Sequence, residues 1–511
     1  MIYKTYVRND PKLKVKIKHT LYTVIGSVVL FFIFYRIFLV FYPVPDIGGS
    51  ENNVIYFIQR ILNRQAIYSD PEQVPYSIAQ YSPAYYYLVA FVSKLASIDA
   101  DQVEKIFIVN RLVSLFLNFA LIALAIHILK TIFNLKTSYC IISGFLIFIF
   151  TEGNYCRPDS LSSFCWVVSV YFFLVFLKKS PQKNFRIELV AASLSGVVAL
   201  LAKQSAVTIL VITFLFLLKE NNLRGAITYF LWSFLFIIVI LVFALYWWDI
   251  HSLYKNIISG LNNGIAFGKY WEKFVLNFYA RQGFLFLAGF YVIIYHTLWK
   301  RGQSKYFQFI GFASILEFLF SNLTAIKYGS GPNYFIQWIV LVFLGVTVLA
   351  DKIKNTLNDI APQLAFMLLS LVTVLRLTAV IHPLITKLKH GNYKSAKELL
   401  VNEKRIAQFI RAQPEMRDSG LVFNNLFSPE SYLNNFLFRE AIIPQYDIVY
   451  GCTYPRNVFN YADLKGKISQ GKIKFMVMNN QILQPKFYDV DLHQFKLLAR
   501  ISNYNIYKWS P

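Results

Sequence analysis

Apolar runs separated by short, mostly basic breaks fill the chain from Leu21 to about residue 382. They lie at 21–42, 103–129, 137–151, 160–177, 187–202, 204–218, 225–247, 278–298, 306–324, 334–350 and 362–382. A helix of about 20 residues crosses a bilayer core, so the pattern predicts an α-helical polytopic membrane protein with about 11 transmembrane helices. The runs at 137–151 and 187–202 are short, and tilt or re-entry would accommodate them.

The breaks set the sidedness. Alternate connections carry Lys130 and Lys136; Lys178, Lys179, Lys183 and Arg186; Lys219 and Arg224; Lys300, Arg301 and Lys305; Lys352 and Lys354. Short basic loops mark the cytoplasmic face. The N-terminal segment 1–20, with Lys4, Arg8, Lys12, Lys14, Lys16 and Lys18, joins that side. The run after it is long enough to span, so a cleavable signal peptide is not expected. An odd number of spans then gives an N-in/C-out topology. Connections 43–102, 151–159, 248–277 and 325–333 fall outside, as does the tail 383–511.

Composition agrees with this reading. Fifty-six per cent of the residues are hydrophobic and 15% are charged, against about a quarter charged in soluble domains. Disorder, collagen and coiled coil are excluded. The net charge is +24. Basic residues flanking spans account for it, so nucleic acid is not an expected partner. The four cysteines have no C-x-x-C spacing, and no metal or redox centre is expected from them.

The tail has a different pattern. Residues 395–412 read as an amphipathic helix, Leu421–Asn425 and Lys474–Asn479 as strands, and 429–438 and 460–470 as helical. Phe495–Ile501 and Tyr504–Trp509 alternate like a hairpin about Ser502-Asn503. Together they predict a small extracytoplasmic α/β C-terminal domain.

Candidate chemistry gathers in the outer connections. Asp46 and Glu51 bracket Gly48-Gly49 just beyond the first span. A helix from about Asn53 to Asn63 follows, and Glu51 would lie at its N-terminus, where a carboxylate is electrostatically favoured. The plain reading is a turn and a cap; the functional one is a general base at the membrane boundary. Tyr81-Ser-Pro83 and the following tyrosines suit an interfacial belt or a sugar-stacking wall. Arg111 opens the next span, opposes the helix dipole, and so needs an acid or a phosphate. Arg157 and Asp159 flank Pro158 at a helix start, where capping and catalysis compete. Lys203-Gln204 lies in a tight outer hairpin, and Lys203 would reach water or hold a lipid phosphate as a point charge. Lys327-Tyr-Gly-Ser-Gly-Pro-Asn333-Tyr334 offers backbone N–H groups and a cation to an anion, or forms a flexible turn before a helix. It lacks the G-K-[ST] of a Walker loop.

These residues, in this order and sidedness, resemble the GT-C superfamily of integral-membrane glycosyltransferases. The resemblance is strongest to the branch of bacterial protein O-mannosyltransferases and lipid A aminoarabinose transferase. It covers roughly 20–380 and, loosely, the tail. It consists of the acidic pair in a long first outer loop, the helix after it, the Y-S-P-x-Y stretch from Tyr81, the Arg at the next span, and the late N-Y-F loop. Many relatives have an Asp-Glu doublet where this chain has Ser50-Glu51, so either Glu51 or Asp46 would be the base. The resemblance implies transfer of a sugar from a polyprenyl-phosphate donor to a hydroxyl of a protein, glycan or lipid acceptor, with inversion. The site would face outward from a bacterial inner membrane. Arg111, Arg157, Asp159, Lys203, Gln204, Lys327, Asn333, Tyr334 and Tyr81 would line the substrates, with cations stabilising the leaving phosphate. No cofactor is expected; a divalent metal is the alternative, since some diphosphate-using relatives need one.

The competing class is a lipid or sugar transporter working through Glu317, a carboxylate inside a span. Glu317 and Arg376 fall at similar depth, which predicts a salt bridge between them.

Overall fold

The computed structural model describes residues 11–510 apart from 44, 46, 48–49, 151–156, 180–186, 263, 281–282, 296, 298–303, 355–391, 417–419, 425–430, 446–447, 450–457 and 480–491. Asp46, the expected 362–382 span and Arg376 lie outside the described residues, and the Glu317–Arg376 pair with them.

The membrane part comprises α1 (Pro11–Phe41), α2 (Glu51–Leu62), α3 (Ala84–Leu95), α4 (Val103–Thr131), α5 (Thr137–Phe150), α6 (Asp159–Lys178), α7 (Ile187–Ala202), α8 (Val207–Lys219), α9 (Leu223–Trp247), α10 (Ile250–Ile257), α11 (Gly283–Ile294), α12 (Lys305–Ala325) and α13 (Ile336–Lys354). Five helical stretches among the described residues are long and apolar enough to cross a membrane: Val103–Thr131, Asp159–Lys178, Leu223–Trp247, Lys305–Ala325 and Pro332–Asp351. Several shorter apolar helices accompany them, including Thr137–Ile149 and Ile187–Ala202.

One element boundary and the place of one residue differ from expectation. α1 starts at Pro11 rather than near Leu21; proline at a first helical position has no N–H bond to lose, and the lysines after it are good helix formers. Arg111 does not open its helix. α4 begins at Val103, so Arg111 lies about two turns inside it.

Small residues and aromatic rings hold the bundle together. Ser169 donates to the Ala192 carbonyl at 2.7 Å, and Ser193 meets Ser233 at 2.8 Å. At Gly196 a Cβ would stand 2.6 Å from Leu210 Cδ2, so glycine lets Leu210 of α8 lie directly against α7. Such seams replace the hydrophobic effect where the solvent is itself apolar. Phe173, Phe216 and Phe309 form an edge-to-face cluster with centroids 4.7 and 5.2 Å from Phe309. The Pro332–Asp351 stretch is the central column, 83% buried, whereas Leu223–Trp247 is 17% buried and lies at the perimeter.

The C-terminal domain contains α14 (Asn392–Arg411), β1 (Leu421–Asn424), a helical turn at Leu433–Phe436, α15 (Ala462–Ser469), β2 (Ile473–Asn479), β3 (Phe495–Ile501) and β4 (Tyr504–Trp509). Its sheet has the order β1-β2-β4-β3, with β1 parallel to β2 and the other pairs antiparallel. The β3–β4 turn uses Ser502 at φ 54°, the left-handed conformation that a tight hairpin turn needs. A separate small core joins Ile442, Leu464, Ile473, Met476 and Phe495 to Tyr76 and Ile78. Those last two belong to the first long connection, whose backbone is tied in by Tyr76 N–H to the Ile442 carbonyl (2.9 Å) and Ile78 N–H to Gln445 Oε1 (2.8 Å). The loop and the domain therefore pack as one layer on one end of the bundle.

Candidate functional site

Two buried ionic clusters lie beneath that layer. The first is built on α2 and α4. Glu51 is the first residue of α2 and is fully buried. Arg111 meets it in a fork: Nε donates to Oε1 at 2.7 Å and Nη2 to Oε2 at 2.8 Å. Nη1 of the same guanidinium donates to the Tyr42 carbonyl at 2.6 Å, and the Ile47 N–H donates to Glu51 Oε2 at 3.1 Å. Phe107, one turn earlier on α4, lies under the guanidinium at 5.4 Å. One carboxylate and one guanidinium thus pin the backbone at residues 42 and 47, on either side of Asp46.

The second cluster is built on Asp159, the first residue of α6, which is buried. Its Oδ1 accepts from Lys203 Nζ at 2.6 Å and from Asn333 Nδ2 at 2.7 Å. Arg157 Nε stands 3.3 Å from Oδ2. Lys203 Nζ also lies 4.3 Å from the centroid of the Tyr334 ring, a cation–π contact. Burial is the largest single influence on the Lys203 amine and would lower it, but Asp159, Tyr334 and Tyr81 together raise the amine above its ordinary value, so the lysine stays cationic. Gln204 donates to the Gln80 carbonyl at 2.9 Å, and Tyr81, next along, adds its field to that at Lys203.

Sequence reasoning passed over Lys273. It lies on the helical segment Trp271–Tyr279 and donates to the Ser330 carbonyl at 2.6 Å. Burial lowers its amine, and the charges of Arg157 and Lys269 lower it further. Lys269 donates to Tyr328 Oη at 2.9 Å. Its spacing of four residues from Lys273, inside an aromatic stretch, was the available signal. Lys327 belongs to the same wall, through an isolated bridge to Ile265.

The clusters are neighbours. Ser114, one turn beyond Arg111 on α4, meets Ser160 at 3.2 Å, and Ser160 follows Asp159. Of the candidates read from sequence, Glu51 and Arg111 form one group. Arg157, Asp159, Lys203, Asn333 and Tyr334 form the other, flanked by Gln204, Tyr81 and Lys327. Glu317 lies elsewhere, in the interior of the bundle near Thr208, which accepts from Trp166 Nε1 at 3.2 Å. No group of three or more His, Cys, Asp or Glu side chains arranged for a metal is present among the described residues.

Comparison with known proteins rests on structure. No family model matches the sequence, and no curated protein matches it. The solved structure of ArnT from Cupriavidus metallidurans bound to undecaprenyl phosphate superposes with a TM-score of 0.58 at 13% identity, covering 95% of this chain and 97% of that one. The chain has the GT-C fold. The Archaeoglobus fulgidus oligosaccharyltransferase AglB, in complex with an inhibitory peptide and a dolichol-phosphate, shares that fold: TM-score 0.56, 12% identity, 91% of this chain and 70% of that one. Its apo form gives a TM-score of 0.54 at 13% identity over 90% and 70%. The GT-C likeness spans the bundle and the C-terminal domain together.

Proposed function

We propose that this GT-C chain is a glycosyltransferase that moves a sugar from a polyprenyl-phosphate donor to an acceptor hydroxyl at the membrane boundary. The observation that carries the reading is the gathering of basic side chains at Asp159. Arg157 and the buried Lys203 both contact that carboxylate, and Lys273 stands in the field of Arg157. Basic groups gathered at one place attract an anion, and a lipid phosphate would supply it. The solved ArnT and AglB structures hold undecaprenyl phosphate and a dolichol-phosphate respectively, which supports the same donor class here.

The acid–base assignment follows from the fork at Glu51. Both of its oxygens accept charge-assisted bonds from Arg111, so this carboxylate is engaged in holding the guanidinium. The role of base is therefore assigned to Asp46, and Glu51 with Arg111 to the clamp that holds the backbone around it. The base takes the proton of the acceptor hydroxyl as its oxygen attacks C1 of the sugar. The C1–phosphate bond breaks with its electron pair, and the phosphate leaves toward Lys203, Arg157 and Lys273. A single displacement inverts the anomeric carbon.

The test is transfer from a radiolabelled polyprenyl-phosphate sugar in nanodiscs. Asp46→Asn should lower turnover by about 10²–10⁴-fold, the usual worth of a general base. Full activity in Asp46→Asn with loss confined to Glu51→Gln would move the base to Glu51. Full activity in both would refute the enzyme reading.

A further inference from the structure

The C-terminal domain touches the membrane part in two ways. At its rim are exposed ion pairs, such as Arg439 with Asp101 at 3.0 Å, of the kind that contribute little. At its centre is a buried polar seam that ends on the backbone of Asn52, the residue after Glu51.

The seam begins at Glu403 on α14, which is fully buried. Its Oε1 accepts from Ser431 Oγ at 2.7 Å and Tyr504 Oη at 2.6 Å, and its Oε2 accepts from the Tyr432 N–H at 2.6 Å. Ser431 Oγ in turn accepts from the Leu433 N–H at 3.0 Å. One side chain thus shapes the turn at 431–433. The turn faces α2 and α4. The Ser431 carbonyl accepts from Asn52 Nδ2 at 2.9 Å. Asn435 Nδ2 donates to the Asn52 carbonyl and to Gln59 Oε1, each at 3.1 Å. Between these bonds the Tyr432 ring meets Phe107 edge-on at 5.1 Å. Phe107 is the ring beneath the Arg111 guanidinium, and the charges of Arg111 and Glu51 act on the Tyr432 phenol.

A carboxylate buried among neutral donors is costly to maintain. A domain that needed only attachment could rely on its rim and its apolar contacts. Here the costly group organises a turn that grips the start of α2.

We infer that the C-terminal domain is a working part of the candidate site, with Glu403 and Asn435 as positioning residues that hold the start of α2, and hence the Glu51–Arg111 fork, in place through the 431–435 turn. The inference rests on the glycosyltransfer reading only for its effect on turnover; the mechanical coupling stands apart from it.

The experiment compares full-length wild type, Glu403→Gln and Asn435→Ala in nanodiscs, by hydrogen exchange and by turnover. Glutamine places an N–H₂ donor among groups that themselves donate. Asn435→Ala leaves the Glu403 network whole and removes the side-chain bonds to the Asn52 carbonyl and Gln59. Amides from Ile47 to Tyr56 should exchange about tenfold faster in both variants, while those of β2 and β4 stay protected in Asn435→Ala. Turnover should fall about tenfold in each with donor KM held within about twofold, and neither should add to the loss of Glu51→Gln in the double variant. Unchanged exchange over residues 47–56 in Asn435→Ala overturns the inference, as does additivity with Glu51→Gln. A wild-type chain that transfers no sugar sinks the proposed function instead, and the exchange result then decides the coupling by itself.

Discussion

Glu403 gives the domain a measurable dependence on pH. Burial raises its carboxyl from 4.5 to about 7, against the opposing bonds from Tyr504, Ser431 and the backbone N–H groups of Tyr432 and Leu433. Between those two values the folded state keeps a proton that the unfolded chain releases. The proton-linked stability is therefore fully present below about pH 4.5 and is lost as pH rises through about 7. At about 1.4 kcal/mol per factor of ten in proton affinity, the rise from 4.5 to about 7 is worth about 3–4 kcal/mol in all, of which about 3 falls between pH 5 and pH 8. The assay is hydrogen exchange of the β2 and β4 amides in the full chain, at matched intrinsic exchange rates, from pH 5 to pH 8. Wild-type protection should fall across that window by a factor of about 10², the equivalent of about 3 kcal/mol. Glu403→Gln has no proton to lose, so its slope should be nearly flat. Equal slopes in the two proteins would refute the argument, because other groups would then carry the dependence. A wild-type slope that rises with pH would refute its sign.

Two further outcomes concern the second cluster. Asp159→Asn leaves Lys203 and Arg157 buried without their shared carboxylate, and thermal melting in detergent should register a loss of about 3–5 kcal/mol that Lys203→Met added to it largely restores; an Asp159→Asn protein as stable as wild type would contradict the cluster. Lys273→Met should fold normally and raise donor KM about tenfold, the worth of one charge-assisted contact to phosphate; an unchanged KM would remove Lys273 from the donor site.

Much of the membrane part was legible because lipid leaves the backbone few options. A run of Leu, Phe, Ile and Val such as 225–247 has to close its hydrogen bonds within itself, and it appears as α9 nearly residue for residue. The hairpin at Ser502-Asn503 was equally plain from its alternation. The site was readable in part. Arg111 was marked as needing an acid, and the acid is Glu51. Arg111 sits about two turns inside α4 rather than at the helix start, although the apolar run and α4 both begin at residue 103. Asp159, Lys203 and Asn333 converge from three connections, and sequence spacing cannot register such a meeting. Lys273 looked like one more loop lysine. The seam through Glu403, Ser431 and Asn435 was invisible for the same reason: residues about 380 apart in sequence meet only through the tertiary fold.

The position of Arg111 has one more consequence. The arginine rides on a long apolar helix, about 12 Å from its first residue at a rise of about 1.5 Å per residue, yet what it grips is the connection between α1 and α2. Long helices answer a thinner bilayer by tilting and a thicker one by straightening, at a modest cost per ångström. Such an adjustment of α4 moves the guanidinium relative to the carbonyl of Tyr42 and the carboxylate of Glu51, whose own helix is fastened to the domain above. Acyl-chain length thereby becomes a variable of the site's geometry, and turnover in vesicles of graded thickness should pass through an optimum.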